Sequence, residues 1–340
     1  MADKRTCPDF GTEIPRRAPA GLCEAGPLMA ALIILLSLSM CPSLLGQPAT
    51  EQAIYPRAVQ NVFEAQLVLA RQGISSGSID GVIGPQTRAA IRAFQLKTNL
   101  PPTGELDAAT KERLVLTAPP VSTYTITTND LTRLQPVSAT WLGKSQQPAL
   151  DYETILELVA EKGHAHPNLI RQMNPGVNWT NVAAGTTVQL PDAASAEPRA
   201  KAAFISLSLA NRTLEAFDAN TNLLAHFPCS IAKRMEKRPV GELRVAVLSP
   251  NPNYTFDPEV FPESPEARQL KTKLILPPGP NNPVGVAWIG LDKPGYGIHG
   301  TPSPEQVGRT ESHGCFRLAN WNAEFLLKLV TVGMPVYVEP

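Results

Sequence analysis

The spacing of apolar residues changes once along this 340-residue chain, and the change limits the folds it can adopt. In the first half they recur at helical intervals, as Val59 and Phe63 do, whereas Leu207 and Leu209 belong to a run that alternates with polar residues. A period near 3.6 indicates helices, and a period of two indicates strands. Residues 192–202 lie between the two patterns and have the composition of a linker. We therefore expect a helical part followed by a mostly-β part.

Composition supports short elements and several domains. The chain contains 34 prolines, about twice the usual share of roughly 5%, which favours strands, turns and linkers over long helices. Its length is sufficient for two or three domains. Lys plus Arg and Asp plus Glu both number 30, so the basic excess expected of a nucleic-acid-binding protein is missing. We therefore predict no nucleic-acid partner.

Residues 1–50 are predicted to be a signal peptide or a membrane anchor. Basic residues precede an uncharged apolar run from Leu28 to Met40, whose length fits the core of a signal peptide. Continued to Leu45, the run could just span a bilayer, so a retained anchor is the alternative. We predict an exported protein of the periplasm or cell wall that contacts the membrane only through this segment.

Residues 55–116 are predicted to form a small all-α domain of three helices. Gly73 ends the first helix, Pro85 begins the second and Asp107 caps the third. The segment resembles the bacterial peptidoglycan-binding domain through residues 79–87, 93–95 and 103–107. The resemblance implies peptidoglycan as a partner, and a generic helical spacer is the alternative.

Residues 121–191 are predicted to form a small α+β module. A strand near Tyr124 and a closing strand over 185–191 enclose two short helices. This order looks like a LysM module, a glycan-binding fold, with an insertion over residues 141–152. His164 and His166 lack a third ligand at metal-binding spacing, so we predict no metal site.

Residues 203–340 are predicted to form a compact β domain. Short strands follow one another between turns and prolines, and a helix over 323–330 is expected to cover an edge or end of the sandwich. Trp288 alternates with Val286 and is predicted to be a core residue.

The chemistry is concentrated in residues 297–318. His299 lies sixteen residues before Cys315, and His313 lies two before it. A thiol becomes a good nucleophile only as a thiolate, so it needs a base or a positive charge nearby. If residues 312–318 are extended, His313, Cys315 and Arg317 share one face. Spacing leaves both histidines open as the base, and alternation along the strand favours His313.

Two structural alternatives exist for Cys315. It could be a buried core thiol, since cysteine is among the most buried residue types. It could also pair with Cys229, because removal of the leader would leave these two cysteines in an oxidising compartment. We expect Cys229 to be a buried free thiol, because its flanking residues are apolar and strand-like.

The β domain resembles the L,D-transpeptidase catalytic domain of the YkuD type. The residues that carry the resemblance, in order, are 238–243, 282–285, 288–291, 296–301 and 312–318. It implies a mostly-β sandwich in which Cys315 is the nucleophile, His299 is the general acid and base, and the Gly300 carbonyl orients the imidazole. It further implies that His313 is a supporting residue and that backbone N–H groups at His313, Gly314 and Cys315 form an oxyanion hole. The substrate-binding residues it implies are Tyr296, Thr301, Ser312 and Arg317.

The reaction that this resemblance implies is acyl transfer on peptidoglycan stem peptides, with no metal or organic cofactor. A tetrapeptide stem would acylate the thiol and release D-Ala, and an amine would then accept the acyl group. The acceptor would be a second stem, which gives a 3→3 cross-link, or an envelope lipoprotein. Water as acceptor would make the protein an L,D-carboxypeptidase, and an inert thiol would leave a non-catalytic wall-binding protein.

Overall fold

The computed structural model describes residues 54–194, 197–198, 200–261, 264–312 and 314–340. The predicted leader over 1–50 and His313 lie outside these residues. Within the part of the chain that is described, no helix is both long and apolar enough to cross a membrane.

The N-terminal helical domain contains the three predicted helices. Its elements are β1 (Arg57–Ala58), α1 (Val62–Arg71), α2 (Pro85–Lys97), α3 (Ala108–Arg113) and β2 (Val115–Leu116). Asn61 caps α1 by accepting a hydrogen bond from Glu64 N at 2.9 Å, and Asp107 caps α3 by accepting one from Thr110 N at 2.8 Å. Strands β1 and β2 pair antiparallel and bring the two ends of the domain together.

The middle module has two strands that enclose four helices. Its elements are β3 (Val121–Thr125), α4 (Thr128–Arg133), α5 (Trp141–Ser145), α6 (Ile155–Lys162), α7 (Pro167–Met173) and β4 (Thr187–Pro191). β3 and β4 pair antiparallel, and α6 and α7 are the two helices expected from the sequence. Helix α5 lies in the predicted insertion. The assignment of this module to the LysM fold stays a prediction.

One hydrophobic core joins the helical domain to the middle module. Leu67 and Phe94 of the first share it with Leu158 of the second, and all three are almost fully buried. Backbone hydrogen bonds reinforce this contact, because Ile79 N donates to His164 O at 2.8 Å and His166 N donates to Ile79 O at 2.9 Å. The helical domain and the middle module therefore pack as one body and not as two independent domains joined by a linker.

The C-terminal domain is built on an eight-stranded mixed sheet that curls around its own core. Its strands and helix are β5 (Phe204–Ser208), β6 (Thr213–Phe217), β7 (Leu223–Pro228), β8 (Gly241–Pro250), β9 (Tyr254–Phe256), β10 (Leu274–Leu276), β11 (Ala287–Leu291), β12 (Gly297–His299), β13 (Phe316–Arg317), α8 (Asn320–Leu329) and β14 (Pro335–Glu339). The order across the sheet is β13-β12-β11-β8-β14-β5-β6-β7. The predicted fold class, helices first and then a mostly-β catalytic-type domain, is confirmed.

Helix α8 packs against strands β8, β11 and β12, near the end of the sheet that carries His299. Its buried residues include Ala323, Leu326 and Leu329, which recur at helical spacing. The helix begins at Asn320, three residues before the predicted start, and this extra turn contributes a polar residue to the site described below.

The chain between β8 and β11, residues 251–286, leaves the main sheet, and we call it the cap segment. It contains β9 and β10, which pair with each other and not with the eight strands. Phe256 and Leu276 of the cap segment form a separate apolar cluster with Leu150 of the middle module. Leu150 N also donates to Pro278 O at 2.9 Å. The sequence analysis did not predict this contact between the insertion and the cap segment.

Gly279→Ala should weaken the docking of the insertion onto the cap segment. Gly279 has φ of +141°, and a Cβ there would fall on the carbonyl of Leu150. We expect the substitution to lower the free energy of unfolding by roughly 2 kcal/mol, because a strained backbone position and a backbone clash are combined. Urea unfolding followed by tryptophan fluorescence measures the loss. Gly176→Ala is the matched control, since a Cβ at Gly176 meets nothing within 4 Å. Equal stability of the two variants would contradict the contact.

Candidate active site

His299 and Cys315 are positioned by two neighbouring parallel strands, since His299 is the last residue of β12 and Cys315 directly precedes β13. β12 pairs with β13 so that Ile298 is level with Phe316 and His299 is level with Arg317. Cys315 comes directly before β13. Level residues of paired strands point to the same side of a sheet, and side chains two apart along a strand do so as well. His299, Cys315 and Arg317 therefore face the same cleft, which they all line.

The imidazole of His299 is held in one tautomer. Its Nδ1 lies 2.6 Å from the carbonyl oxygen of Gly300. A carbonyl can only accept, so Nδ1 carries the proton and Nε2 keeps its lone pair. Burial lowers the pKa of His299 to about 4, although the hydrogen bond to Gly300 opposes this shift. The side chain is thus a neutral base at pH 7. This is the contact that the resemblance implied for Gly300.

An indole ring forms one wall behind the imidazole. Trp288 stacks on His299 with ring centroids 5.6 Å apart. The ring lies against Gly297, where a Cβ would approach it to 2.5 Å, so only glycine fits at that position of β12. Trp288 is half-buried and lines the cleft, which differs from the core position expected from alternation. The difference arises because Gly290 and Gly297 leave room for the ring beside the strands.

Cys315 is a half-buried free thiol. Burial raises its pKa to about 11, while a backbone hydrogen bond at Gly297 and the charge of Arg317 oppose the shift. Its Sγ lies 3.5 Å from Gly295 O. At neutral pH the cleft therefore holds a neutral thiol and a neutral imidazole, and the thiol would have to lose its proton to act as a nucleophile.

A tight turn presents the thiol. Ser312 Oγ donates to Cys315 O at 2.5 Å and accepts from Gly314 N at 3.3 Å. Ser312 is buried and lines the cleft, so its hydroxyl is occupied by the turn that precedes the thiol. Gly314 is half-buried, also lines the cleft, and has no heavy atom within 4 Å of the position a Cβ would take. The approach to the backbone beside the thiol is open.

Arg317 lines the cleft with Cys315, and its charge also acts on the buried thiol of Cys229. The guanidinium of Arg317 donates to Glu311 O, and burial lowers its pKa. Cys229 is fully buried, and burial raises the pKa of its thiol to about 12. The two cysteines are separate free thiols, as expected for Cys229.

Asn320 supports the chain that follows the imidazole, and the sequence analysis missed it. The side chain is buried at the start of α8, and its Oδ1 accepts a hydrogen bond from Thr301 N at 2.9 Å. Its Nδ2 reaches Pro280 O in the cap segment at 3.3 Å. Thr301 itself is buried and lines the cleft. The one signal in the sequence was a polar residue at the start of an apolar helix.

The remaining candidates, among the described residues, do not line the cleft. Tyr296 packs against the core of the β domain, and Lys293 lies over its ring at 5.3 Å, so the structure does not bring it into the cleft wall that is described. His164 stacks on Trp321 with centroids 5.1 Å apart, and His166 accepts from Asn168 N at 3.1 Å. His164 thus contacts helix α8 of the C-terminal domain, and His166 caps α7.

The cleft has a volume of about 1270 Å³ and several walls. Strands β11 to β13 form one wall, and the loop between His299 and Cys315 forms another. The cap segment contributes Tyr254 and Phe261, and helix α5 contributes Trp141 and Lys144. The contribution of the middle module had no counterpart in the sequence analysis.

Two parts of the chain match known protein families. Residues 202–338 match the model of the L,D-transpeptidase catalytic domain, YkuD, and residues 59–114 match the model of the peptidoglycan binding domain. The C-terminal domain belongs to the YkuD family of L,D-transpeptidase catalytic domains. The N-terminal helical domain is a domain of the peptidoglycan-binding type, since residues 59–114 match that family model.

Curated relatives carry the L,D-transpeptidase name. A Bacillus licheniformis protein named L,D-transpeptidase YkuD is 28% identical over 185 residues, which cover 54% of this chain and 93% of that protein. The probable L,D-transpeptidase YbiS of Escherichia coli K12 is 28% identical over 166 residues, which cover 48% of this chain and 53% of that protein. The chain therefore spans about half the length of YbiS.

Solved structures of L,D-transpeptidases are also similar. L,D-transpeptidase 3 from Mycobacterium tuberculosis is 18% identical, covers 47% of this chain and 77% of its own, and has a TM-score of 0.33. The Xylanimonas cellulosilytica L,D-transpeptidase is 13% identical, covers 85% of this chain and 100% of its own, and has a TM-score of 0.34.

Alkylation of Cys315 by iodoacetamide should accelerate about tenfold per pH unit up to about pH 11, because only the thiolate reacts and burial raises the thiol pKa to about 11. Peptide mass spectrometry on samples quenched between pH 6 and 11 measures the rate. Cys229 is the internal control and should stay unmodified in the folded protein, since it is fully buried. A plateau already reached at pH 7 would instead indicate a resting thiolate–imidazolium pair.

Proposed function

We propose that this protein is a peptidoglycan L,D-transpeptidase with Cys315 as nucleophile and His299 as general base. The observation that carries the proposal is the hydrogen bond from His299 Nδ1 to Gly300 O at 2.6 Å, which leaves Nε2 to accept a proton on the face that also holds the thiol. The family assignment of residues 202–338 supports the reaction class.

The first step acylates the thiol. His299 Nε2 takes the proton of Cys315, and Sγ attacks the carbonyl carbon of the L-centred diamino acid at position three of a donor tetrapeptide. The C–N bond to D-Ala then breaks, and the imidazolium returns the proton to the leaving amine. A thioester and free D-Ala result, and His299 is neutral again.

The second step transfers the acyl group to an amine. His299 Nε2 takes a proton from the acceptor amine as its nitrogen attacks the thioester carbonyl. The C–S bond breaks, and the proton returns to Sγ, so the thiol is restored. Negative charge develops on the carbonyl oxygen in both steps, and the donors that we assign to it are the backbone N–H groups of Cys315, His313 and Gly314, the last of which exchanges its 3.3 Å bond to Ser312 Oγ for the oxyanion. We assign His313 a supporting role.

The role proposed for Arg317 follows from its place on β13, two residues after Cys315 and in the wall of the cleft. The charge of this guanidinium lowers the pKa of the Cys315 thiol, so it favours the thiolate that forms in the first step. Its contact with Glu311 O fixes the side chain beside the turn that presents the thiol. We propose that Arg317 both favours the thiolate and orients the carboxylate of the leaving D-Ala.

The helical domain is proposed to present assembled wall to the cleft. Gln86 Nε2, near the start of α2, donates to Val307 O at 2.6 Å, and Val307 lies in the loop that lines the cleft. Arg309 of the same loop faces Asp80 at 3.7 Å. A wall-binding domain fixed to this loop would deliver stem peptides at a defined distance from the thiol. Export to the periplasm or cell wall, by the leader predicted over 1–50, completes the proposal.

The acceptor is proposed to be the amine of a second stem peptide, which gives a 3→3 cross-link. The alternatives are an envelope lipoprotein and water, and they differ only in the second step. Product analysis separates them, since a dimer, a protein conjugate and a tripeptide have different masses.

Cys315→Ala should abolish D-Ala release from a tetrapeptide donor, and His299→Ala should lower its rate by about 10²–10⁴-fold, because a general base is lost. Release of D-Ala, measured with a coupled oxidase assay, reports the first step. His166→Ala is the control, since this histidine caps α7 outside the cleft. Residual release by the Cys315 variant would overturn the nucleophile assignment. A larger loss in His313→Ala than in His299→Ala would reassign the base.

A further inference from the structure

The middle module supplies part of the wall of the catalytic cleft. Trp141 and Lys144 of α5 line the same cleft as Cys315 and His299. They lie three apart on one helical turn, so their side chains occupy neighbouring positions on the helix surface. Neither the catalytic-domain match, residues 202–338, nor the peptidoglycan-binding match, residues 59–114, includes them.

Helix α5 is fixed to the cap segment by specific contacts. The carboxylate of Glu266 accepts hydrogen bonds from Trp141 N and Leu142 N, both at 2.9 Å. The ring of Trp141 stacks on Phe256 with centroids 4.2 Å apart and packs at an angle against Phe261 at 5.9 Å. These contacts define the position of α5 relative to the cleft, so Lys144 is presented on a rigid support.

Lys144 places an uncompensated positive charge in the cleft. Its Nζ lies 5.2 Å from the ring centroid of Trp141, and within the described parts of the chain no carboxylate pairs with it. Other charged residues of the cleft wall are engaged, since Asp257 pairs with Lys273 at 2.8 Å and Arg317 donates to Glu311 O. A half-buried ammonium that faces a cleft and has only an aromatic partner is suited to bind an anion.

We infer that Lys144 binds a free carboxylate of the donor stem peptide, while Trp141 forms an apolar surface beside the peptide chain. The inference rests on the proposed function, because a stem peptide is the substrate with free carboxylates that the reaction implies. Arg317 lies on β13, two residues after the thiol, whereas Lys144 lies on α5, in the wall that the middle module contributes. We therefore assign the carboxylate of the leaving D-Ala to Arg317, and to Lys144 a carboxylate on the part of the stem that remains on the enzyme.

The test measures binding apart from catalysis. The unreactive Cys315→Ala protein is titrated with a tetrapeptide donor whose glutamyl α-carboxylate is free, and with the same donor carrying a carboxamide there. Adding Lys144→Gln should raise the Kd for the free-acid donor about tenfold and leave the Kd for the amide unchanged. Lys144→Arg should keep the preference for the free acid. Lys271→Gln is the matched control, because Lys271 is an exposed lysine of the cap segment that does not line the cleft.

The same substitutions are then measured in the active protein. Lys144→Gln should raise KM for the free-acid donor about tenfold with little change in kcat, since Lys144 lies on α5 and not on the strands that position His299 and Cys315. In the binding test, the inference is overturned if the Cys315→Ala protein binds the free-acid donor with the same Kd with and without Lys144→Gln. A lysine-dependent Kd without any D-Ala release by the wild type would uphold the carboxylate site and overturn the proposed reaction, so the two failures are distinguishable.

Discussion

The pairing of β12 with β13 is the contact on which the site depends. The two strands are short, and β13 lies at the edge of the eight-stranded sheet. Its position is secured from the other side as well, since Ser230 and Arg317 exchange two backbone hydrogen bonds of 2.9 Å. Because β13 pairs with β12 and Arg317 is also bonded to Ser230, the turn before β13 presents Cys315 in a fixed place. A register shift of one residue would turn the thiol to the opposite face of the sheet, away from His299.

Burial sets the protonation state of this site. The same desolvation that raises the pKa of the Cys315 thiol lowers the pKa of the His299 imidazole, so both groups are neutral in the resting protein. A neutral imidazole with a defined tautomer can accept the thiol proton when a substrate carbonyl arrives. In the proposed mechanism, the Gly300 carbonyl performs the orienting task that a carboxylate performs in other triads, and it adds no negative charge next to the developing thiolate.

Local sequence patterns predicted the helices and strands well. The site residues and contacts that were not predicted depend on segments distant in sequence. Apolar periodicity and caps such as Asp107 predicted the three helices, and alternation predicted strands such as β5 and β6. The histidine could not be chosen by alternation, because that pattern describes one strand, while His299 lies on the neighbouring strand and lines the same cleft as the thiol. Two of the contacts that were missed join separate segments of the chain. One is the contact of the cap segment with the insertion, and the other is the hydrogen bond from Thr301 N to Asn320 Oδ1. No local period signals such contacts, so Trp141 and Lys144 were found only in the folded chain.

The central claim is that Cys315, activated by His299, transfers stem-peptide acyl groups to an amine. Mass spectrometry of muropeptides, after incubation of purified sacculi with the wild type and with Cys315→Ala, tests it most directly. The account predicts new dimers joined between two diamino acids, with loss of tetrapeptide stems, in the wild-type sample alone. Unchanged muropeptides, tripeptides without dimers, or dimers formed equally by both proteins would contradict it.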